Sequence, residues 1–220
     1  MSIQKPRPAR AMYEGRWIFL ILIAGVILAT AFGFFFLTLP ITALILFCLW
    51  FFREPYRKPP SDPALAVSPA DGTVTLVDEV VEEQFFNCRM KRVSIFLSVF
   101  DVHVNRTPIA GEVLFTEGRG GLYLDARKPE ASVLNESLFW VFGPKENPSR
   151  EVGVKQITGA IARRIVPWAR VGELMERGER FGMIRFGSRT DLYLPLDSEI
   201  LVSTGEKVKG GETAIARMAL

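Results

Sequence analysis

The pair Gly187-Ser188 has the residue types best suited to covalent chemistry in this sequence. Gly187 has no Cβ, so its carbonyl carbon is unhindered and its backbone can adopt strained dihedral angles. The hydroxyl of Ser188 could attack that carbonyl and convert the peptide bond to an ester, which is an N→O acyl shift. For the dipeptide alone, a solvent-facing turn is the more frequent explanation, because Gly-Ser is a common turn sequence.

A second group of reactive side chains surrounds His103, the only histidine of the chain. Alternation along an extended strand would place Asp101, His103 and Asn105 on one face. Histidine exchanges protons near neutral pH, although a lone histidine is more often structural than catalytic. Asp71 is another polar residue in an apolar setting, and an aspartate before glycine is most often a turn former. These patterns make His103 and Asp71 candidates for proton transfer.

The composition argues against several other kinds of site. The net charge is +3, which does not indicate a nucleic-acid surface. Cys48 lies in an apolar block and Cys88 in the polar part, so we expect no structural disulfide between them. Two cysteines and one histidine show no zinc spacing. No lysine context indicates pyridoxal phosphate. We therefore expect no metal, no pyridoxal phosphate and no nucleic acid.

The run 17–52 contains no charged residue and predicts a membrane anchor. A single helix of 36 residues would be about 54 Å long, against roughly 30 Å of hydrocarbon, so it must break. Pro40 is the predicted break. Basic residues on both sides of the run favour a transmembrane helical hairpin with both ends in the cytoplasm. A single span over 17–37 followed by an interfacial segment is the alternative.

These charges also predict where the rest of the chain lies. Residues 1–16 form a basic cytoplasmic tail, and a proline-rich, charged linker follows the anchor at 53–66. The linker would hold the remaining domain, residues 67–220, near the lipid headgroups. We therefore expect this domain at the cell membrane, on its cytoplasmic side.

The region 67–220 has the pattern of a mainly β domain. Short apolar or alternating runs recur along it, and Gly, Pro, Asn or Asp separates most of them. Helical signals are limited to 131–134 and 162–168. With about 150 residues, the domain is large enough to form its own core.

Two pairs of similar segments occur within this domain. Residues 172–179 are similar to 205–212, 33 positions later, and residues 69–74 are similar to 108–113. Each of these segments predicts a tight turn followed by a strand, with glycines where a positive φ is needed. The pattern resembles that of barrel-sandwich-hybrid domains, among them the lipoyl and biotinyl carriers. We expect a compact β-rich domain with repeats of this kind.

Several segments, in order, carry a resemblance to a known family. They are Ser-Pro-Ala-Asp-Gly (68–72), Phe-Leu-Ser-x-Phe-Asp-Val-His-x-Asn-Arg (96–106), Asn-Glu-Ser (135–137), Lys-Gln-Ile-x-Gly-x-Ile-Ala-Arg-Arg-Ile (155–165), Arg-Gly-Glu-Arg-Phe-Gly-Met-Ile-Arg-Phe-Gly-Ser-Arg-Thr-Asp-Leu-Tyr-Leu-Pro (177–195) and Gly-Glu-Lys-Val-Lys-Gly-Gly-Glu-Thr-Ala-Ile-Ala (205–216). Together they resemble phosphatidylserine decarboxylase, in its short archaeal and bacterial type. The ensemble covers nearly all of the domain.

The resemblance implies a proenzyme that cleaves itself. Ser188 would attack the carbonyl of Gly187, and elimination from the resulting ester would separate a β chain, 1–187, from an α chain, 188–220. The dehydroalanine left at position 188 would hydrolyse to a pyruvoyl group, the covalent cofactor. Asp71 would assist Ser188 in this cleavage, with or without His103.

The resemblance also implies the reaction of the mature enzyme. The pyruvoyl ketone would condense with the amine of phosphatidylserine in the membrane, and loss of CO₂ would lead to phosphatidylethanolamine. His103 would transfer the proton that replaces the carboxylate. The partners implied are the phospholipid and the two chains of one precursor. The acyl chains, an archaetidylserine-like substrate and a homo-oligomeric state are left open.

The sequence departs from longer members of that family at two positions. They carry a second histidine three residues after the first, and Leu-Gly-Ser-Thr at the cleavage site. This chain has Arg106 at that position and Phe-Gly-Ser-Arg at the site. An Asp–His–Ser relay through the second histidine therefore cannot be carried over.

Two further functions are compatible with parts of the sequence. One is a membrane-tethered carrier or phosphotransfer module, in which His103 would accept the phosphoryl group and Met90-Lys91 is the nearest match to a carrier lysine. The other is a structural membrane adaptor. Neither predicts cleavage between Gly187 and Ser188.

Overall fold

The computed structural model describes residues 10–144, 147–160, 164–185 and 188–219. The chain divides into two compact units, Met1–Pro55 and Tyr56–Leu220.

The first unit is helical. Its helices are α1 (Arg10–Glu14), α2 (Arg16–Ala31) and α3 (Phe35–Phe51). Helices α2 and α3 pack against each other as an antiparallel pair, with Gly25 beside Ile41 and the rings of Phe19 and Phe52 6.0 Å apart in an edge-on arrangement. Among the described residues, no helix combines the length and the apolar character needed to cross a membrane.

The break in the apolar run is at Gly33, so the predicted break at Pro40 is wrong. Gly33 has φ +76°, and the N–H groups of Gly33 and Phe34 donate to the carbonyls of Thr30 (3.2 Å) and Ala29 (2.7 Å). This Schellman arrangement satisfies the last carbonyls of α2. Pro40 lies inside α3, near its start, where a missing N–H removes a single helical hydrogen bond.

The second unit is mainly β, as the sequence predicts. Its strands are β1 (Leu65–Val67), β2 (Gly72–Glu82), β3 (Cys88–Leu97), β4 (Val104–Arg106), β5 (Gly111–Arg119), β6 (Ser137–Gly143), β7 (Val152–Ile157), β8 (Arg164–Pro167), β9 (Leu174–Met175), β10 (Arg180–Arg185), β11 (Ser188–Leu194), β12 (Glu199–Ile200), β13 (Lys207–Val208) and β14 (Ala214–Arg217). One short helix, α4 (Ala131–Leu134), agrees with the helical signal there. The helical signal at 162–168 is wrong for its described part, which is strand β8.

The largest sheet is curled and has the order β13-β2-β3-β11-β7-β6-β5-β9. Two three-stranded sheets, β4-β10-β8 and β1-β14-β12, complete the unit. The main core lies on one face of the large sheet and includes Ile95, Trp140, Phe142, Phe181 and Leu192, all at most 1% exposed. The central strand β11 is antiparallel to both of its neighbours, β3 and β7.

The two similar turn-and-strand segments make matching hydrogen bonds. The N–H of Gly205 donates to the carbonyl of Val74 (2.8 Å), and the N–H of Gly172 donates to the carbonyl of Val113 (2.9 Å). Strands β13 and β9 then pair in the same way with β2 and β5. The four turn glycines have positive φ: Gly172 +87°, Gly178 +77°, Gly205 +93° and Gly211 +78°. The predicted glycine turns are therefore confirmed, and the internal similarity is a structural duplication.

Candidate active site

Ser188 is the first residue of the central strand β11. Its backbone pairs with Leu97 of β3, and the residue is completely buried. Within the described residues, its Oγ has no hydrogen-bond partner. A buried hydroxyl without a partner costs about 1–3 kcal/mol. Because Gly187 directly precedes it in the sequence, this oxygen is available for the attack on the Gly187 carbonyl that the sequence predicts.

The prediction for Gly187 falls on a residue outside those that the structure describes. Strand β10 ends at Arg185 in a three-stranded sheet, and β11 begins at Ser188 in the eight-stranded sheet. The predicted cleavage site therefore lies where the chain passes from one sheet to another.

His103 lies just before β4 and is only 1% exposed. Its Nδ1 is 2.9 Å from the carbonyl oxygen of Asp101. A carbonyl oxygen can only accept a hydrogen bond, so Nδ1 carries a hydrogen and Nε2 is the nitrogen that gains or loses a proton. The His103 carbonyl accepts from the N–H of Ile184, which places the histidine backbone beside the end of β10.

The predicted common face of Asp101, His103 and Asn105 is wrong, because the segment is not one continuous strand. Strand β3 ends at Leu97, and the Asp101 carboxylate accepts hydrogen bonds from the backbone N–H (2.8 Å) and hydroxyl (2.7 Å) of Ser98. This side-chain capping stabilises a turn, as aspartate commonly does. His103 therefore contacts the backbone of Asp101 rather than its carboxylate.

Asp71 immediately precedes β2 and is held by two donors. Its carboxylate lies 2.6 Å from the Arg57 guanidinium and accepts the N–H of Gly210 at 2.8 Å. Burial raises the pKa of the Asp71 carboxyl, and Arg57 and the Gly210 N–H oppose this rise. The result is a carboxyl group with a raised pKa, which suits a group that must accept a proton.

Asp71 and Ser188 lie at the same end of the large sheet. Thr73 of β2 pairs with Phe96 of β3, and Phe96 pairs with Arg189 of β11. Asp71, which precedes β2, and Ser188, which begins β11, are therefore at the same end of the sheet, with β3 between the two strands. A Cβ at Gly72 would overlap the carbonyl oxygen of Phe96, so this close approach requires glycine. In the described part of the chain, the Asp71 carboxylate binds Arg57 and Gly210 rather than Ser188 or His103.

A buried amide network positions the start of β11. Asn105 donates to the hydroxyl of Thr190 (3.1 Å) and to the carbonyl of Pro69 (3.3 Å). Its oxygen accepts from Gln156 (2.8 Å), whose own oxygen accepts from the Trp140 indole (2.8 Å). The network joins β4, β6, β7 and β11 at Thr190, two residues from Ser188. Sequence reasoning gave Asn105 no such role, because its partners are distant in sequence.

Arg106, at the position of the second histidine, contacts two glycine turns. Its guanidinium donates to the carbonyl of Gly178 at 2.9 Å, and a Cβ at Gly211 would lie 2.8 Å from its Cδ. Burial, with the nearby charge of Arg57, lowers the pKa of Arg106 to about 10. The side chain is therefore still a cation near neutral pH and cannot act as a base there.

Comparison with known proteins identifies the family to which this chain belongs. A family model described as phosphatidylserine decarboxylase matches residues 44–216. A phosphatidylserine decarboxylase proenzyme of Symbiobacterium thermophilum is 48% identical over 178 residues, 81% of this chain and 82% of the relative. One from Carboxydothermus hydrogenoformans is 44% identical over 206 residues, 93% and 95% of the two chains. The chain belongs to the phosphatidylserine decarboxylase family.

Proposed function

We propose that this protein decarboxylates phosphatidylserine to phosphatidylethanolamine after cleaving itself between Gly187 and Ser188. The observation that carries the proposal is the buried Ser188 Oγ, which has no hydrogen-bond partner among the described residues. It lies at the same end of the large sheet as Asp71. Family membership and the proenzyme names of the relatives support both the substrate and the self-cleavage.

Self-cleavage needs no group other than those of the chain and water. The Ser188 oxygen adds to the Gly187 carbonyl carbon and loses its proton, the C–N bond breaks, and the nitrogen takes up a proton. Removal of the Ser188 α-proton then expels the Gly187 carboxylate and leaves a dehydroalanine. Water converts this terminal enamine to a ketone and ammonia. The products are chains of 187 and 33 residues, which together make up the 220.

The residues present fit a pyruvoyl group at position 188. The Ser188 side chain is buried at the start of β11, and Asn105 fixes Thr190 two residues further on. When present, this group supplies an electron-accepting ketone for the loss of CO₂ from the serine headgroup. Burial of position 188 limits the contact of this group with bulk water.

His103 holds and moves the proton that replaces CO₂. Its Nδ1–H is fixed by the carbonyl of Asp101, so the ring presents Nε2 in a constant orientation. Protonated Nε2 delivers a proton to the carbon that has lost its carboxylate. Family membership favours decarboxylation over the phosphotransfer alternative. Lys91, the nearest match to a carrier lysine, lies within β3 and not at a hairpin tip, and it donates to the carbonyl of Ser198.

The direct test is release of labelled CO₂ from phosphatidylserine labelled in the serine carboxylate. The purified full-length protein should release it and form phosphatidylethanolamine. A protein that is fully cleaved yet releases no CO₂ would reject the substrate while leaving the self-cleavage intact.

Replacing Arg57 by alanine should slow self-cleavage and move its pH dependence upward. Arg57 opposes the effect of burial on the pKa of Asp71, so without Arg57 this pKa rises further. The carboxylate form, which accepts the proton, is then populated only at higher pH. At pH values below the pKa of Asp71, we expect the rate to fall about tenfold for each unit by which this pKa rises. Time courses of cell-free synthesis at several pH values measure the shift.

Arg217→Ala is the matched control. Arg217 forms an exposed ion pair with Asp62 at 2.8 Å, so its loss removes the same charge without touching Asp71. Its cleavage profile should equal that of the wild type. An unshifted profile in the Arg57 variant would exclude Arg57 from control of Asp71.

We also propose that residues 17–52 anchor the protein in the cell membrane as a helical hairpin, with the catalytic unit in the cytoplasm. The charge-free sequence, the basic residues on both sides and the antiparallel α2–α3 pair support this. The duplicated turns of the second unit support a barrel-sandwich-hybrid-like fold.

The exposed free cysteine Cys88 can report this orientation. In a Cys48→Ser background, a membrane-impermeant maleimide should label Cys88 in inverted membrane vesicles and not in intact cells. Labelling in intact cells would place the catalytic unit outside. Recovery of the protein in the alkaline carbonate wash would reject the anchor.

A further inference from the structure

A cavity of about 290 Å³ lies on the opposite face of the large sheet from the main core. Its lining includes Lys155 of β7, Arg92 of β3, Arg119 of β5 and Tyr193 of β11. Side chains alternate along β11, so Tyr193 faces away from the side to which Ser188 belongs. The two residues are five positions apart, about 17 Å along a strand. The cavity is therefore separate from the candidate active site.

Two of the cations that line the cavity, Lys155 and Arg119, are placed to bind an anion. Lys155 is half-buried and Arg119 is exposed at the margin. Neither side chain makes a hydrogen bond or an ion pair with any of the described residues. Burial lowers the pKa of the Lys155 ammonium and Arg119 lowers it further, while the nearby carboxylates of Asp191 and Glu82 oppose this effect in part. The charged form of Lys155 is therefore disfavoured on balance, and an anion bound beside it would stabilise that charge.

The neighbouring carboxylates already have donors of their own. Glu82 accepts the backbone N–H groups of residues 84, 85 and 86 at 2.8, 2.9 and 2.9 Å. Asp191 forms a buried ion pair with Arg189 at 2.6 Å, and Asp78 binds Arg92 through two hydrogen bonds. Glu83 is exposed at the rim. The carboxylates nearest to Lys155 therefore have other partners.

The cavity also offers an acceptor and an apolar rim. Gln84 Oε1 is buried and has no hydrogen-bond partner among the described residues. Val81 and Val133 border the cavity and are 57% and 77% exposed. A ligand that satisfies all these groups combines a phosphate, a hydrogen-bond donor and an adjoining apolar chain.

We propose that this cavity binds the phosphate-bearing headgroup of a phospholipid, with Lys155 and Arg119 on the phosphate and Gln84 Oε1 on a hydroxyl of the headgroup. Charge-assisted hydrogen bonds from the two cations supply most of the affinity. The exposed valines lie against the first part of the acyl chains. The site does not depend on Ser188. It is a second lipid site, in addition to the proposed substrate site.

The test is calorimetric titration of the full-length protein in detergent at low ionic strength. The probes are sn-glycerol 3-phosphate, which has hydroxyl donors, and inorganic phosphate. Neither has an amine, so neither can react with a ketone at position 188. Glycerol 3-phosphate should bind saturably and more tightly than phosphate, and Lys155→Gln should weaken both by about tenfold or more. Gln84→Leu should weaken glycerol 3-phosphate alone.

Arg89→Gln is the matched control, because among the described residues Arg89 pairs only with Glu79, at 3.0 Å on an exposed part of β3. It should leave both affinities unchanged. Lys155→Gln should also raise the melting temperature, since desolvation of this charge outweighs the attraction of Asp191 and Glu82; a purely structural lysine would give the opposite shift. Absence of binding to the wild type, or equal affinities in the Lys155 variant, would overturn the site. Equal binding of the two probes would overturn the headgroup assignment in favour of free phosphate.

Discussion

Replacing Ser188 by alanine is expected to leave one uncleaved chain of 220 residues without decarboxylase activity. Alanine lacks the oxygen that attacks the Gly187 carbonyl, so neither the ester nor the ketone can form. The loss should be complete rather than graded, because alanine at position 188 leaves no oxygen there to replace the serine hydroxyl. Intact mass spectrometry measures it directly. The wild type should give two chains, the smaller without a free amino terminus.

The variant should fold at least as well as the precursor. The Ser188 Oγ has no hydrogen-bond partner among the described residues, so its removal abolishes no hydrogen bond there. Ser198→Ala is a matched control, since Ser198 is 1% exposed and its Oγ also has no partner among the described residues. The control should be cleaved and active. Cleavage of the Ser188 variant after residue 187 would contradict the assignment of the nucleophile.

Three candidate residues could be named from the sequence because each belongs to a short, distinctive segment. Ser188 follows a glycine, His103 is the only histidine and Asp71 precedes a glycine. The position of Asp71 and Ser188 at the same end of the large sheet could not be predicted, because it depends on the pairing of β2, β3 and β11. The ion pair between Asp71 and Arg57 was also missed, since Arg57 belongs to a segment that reads only as a charged linker.

Local sequence and tertiary contacts compete at two places in the fold. Pro40 is the stronger helix breaker on propensity, yet Gly33 ends α2, because only glycine readily adopts the left-handed conformation that closes the helix. At Arg164–Pro167 a helical signal gives way to strand β8, which pairs with β10 through residues 164–167. Sheet pairing with a distant strand overrides a weak local preference.

His103→Asn should abolish turnover while leaving self-cleavage measurable as a separate step. The asparagine amide can keep the hydrogen bond that Nδ1 makes to the Asp101 carbonyl, yet it cannot carry a proton at the position of Nε2. Loss of a general acid lowers turnover by about 100- to 10,000-fold. The measurement is the kcat for CO₂ release from phosphatidylserine, corrected for the fraction of cleaved chain.

The comparison of His103→Asn with His103→Ala separates catalysis from structure. The alanine variant loses the hydrogen bond to Asp101 as well as the proton carrier, so it should be less stable than the asparagine variant and no more active. Imidazole added to the alanine variant should restore part of the turnover, with a pH dependence set by the added base. Near-normal kcat in the asparagine variant would remove His103 from the proton transfer. Since no other histidine exists in the chain, that proton would then have to come from Asp71 or from water.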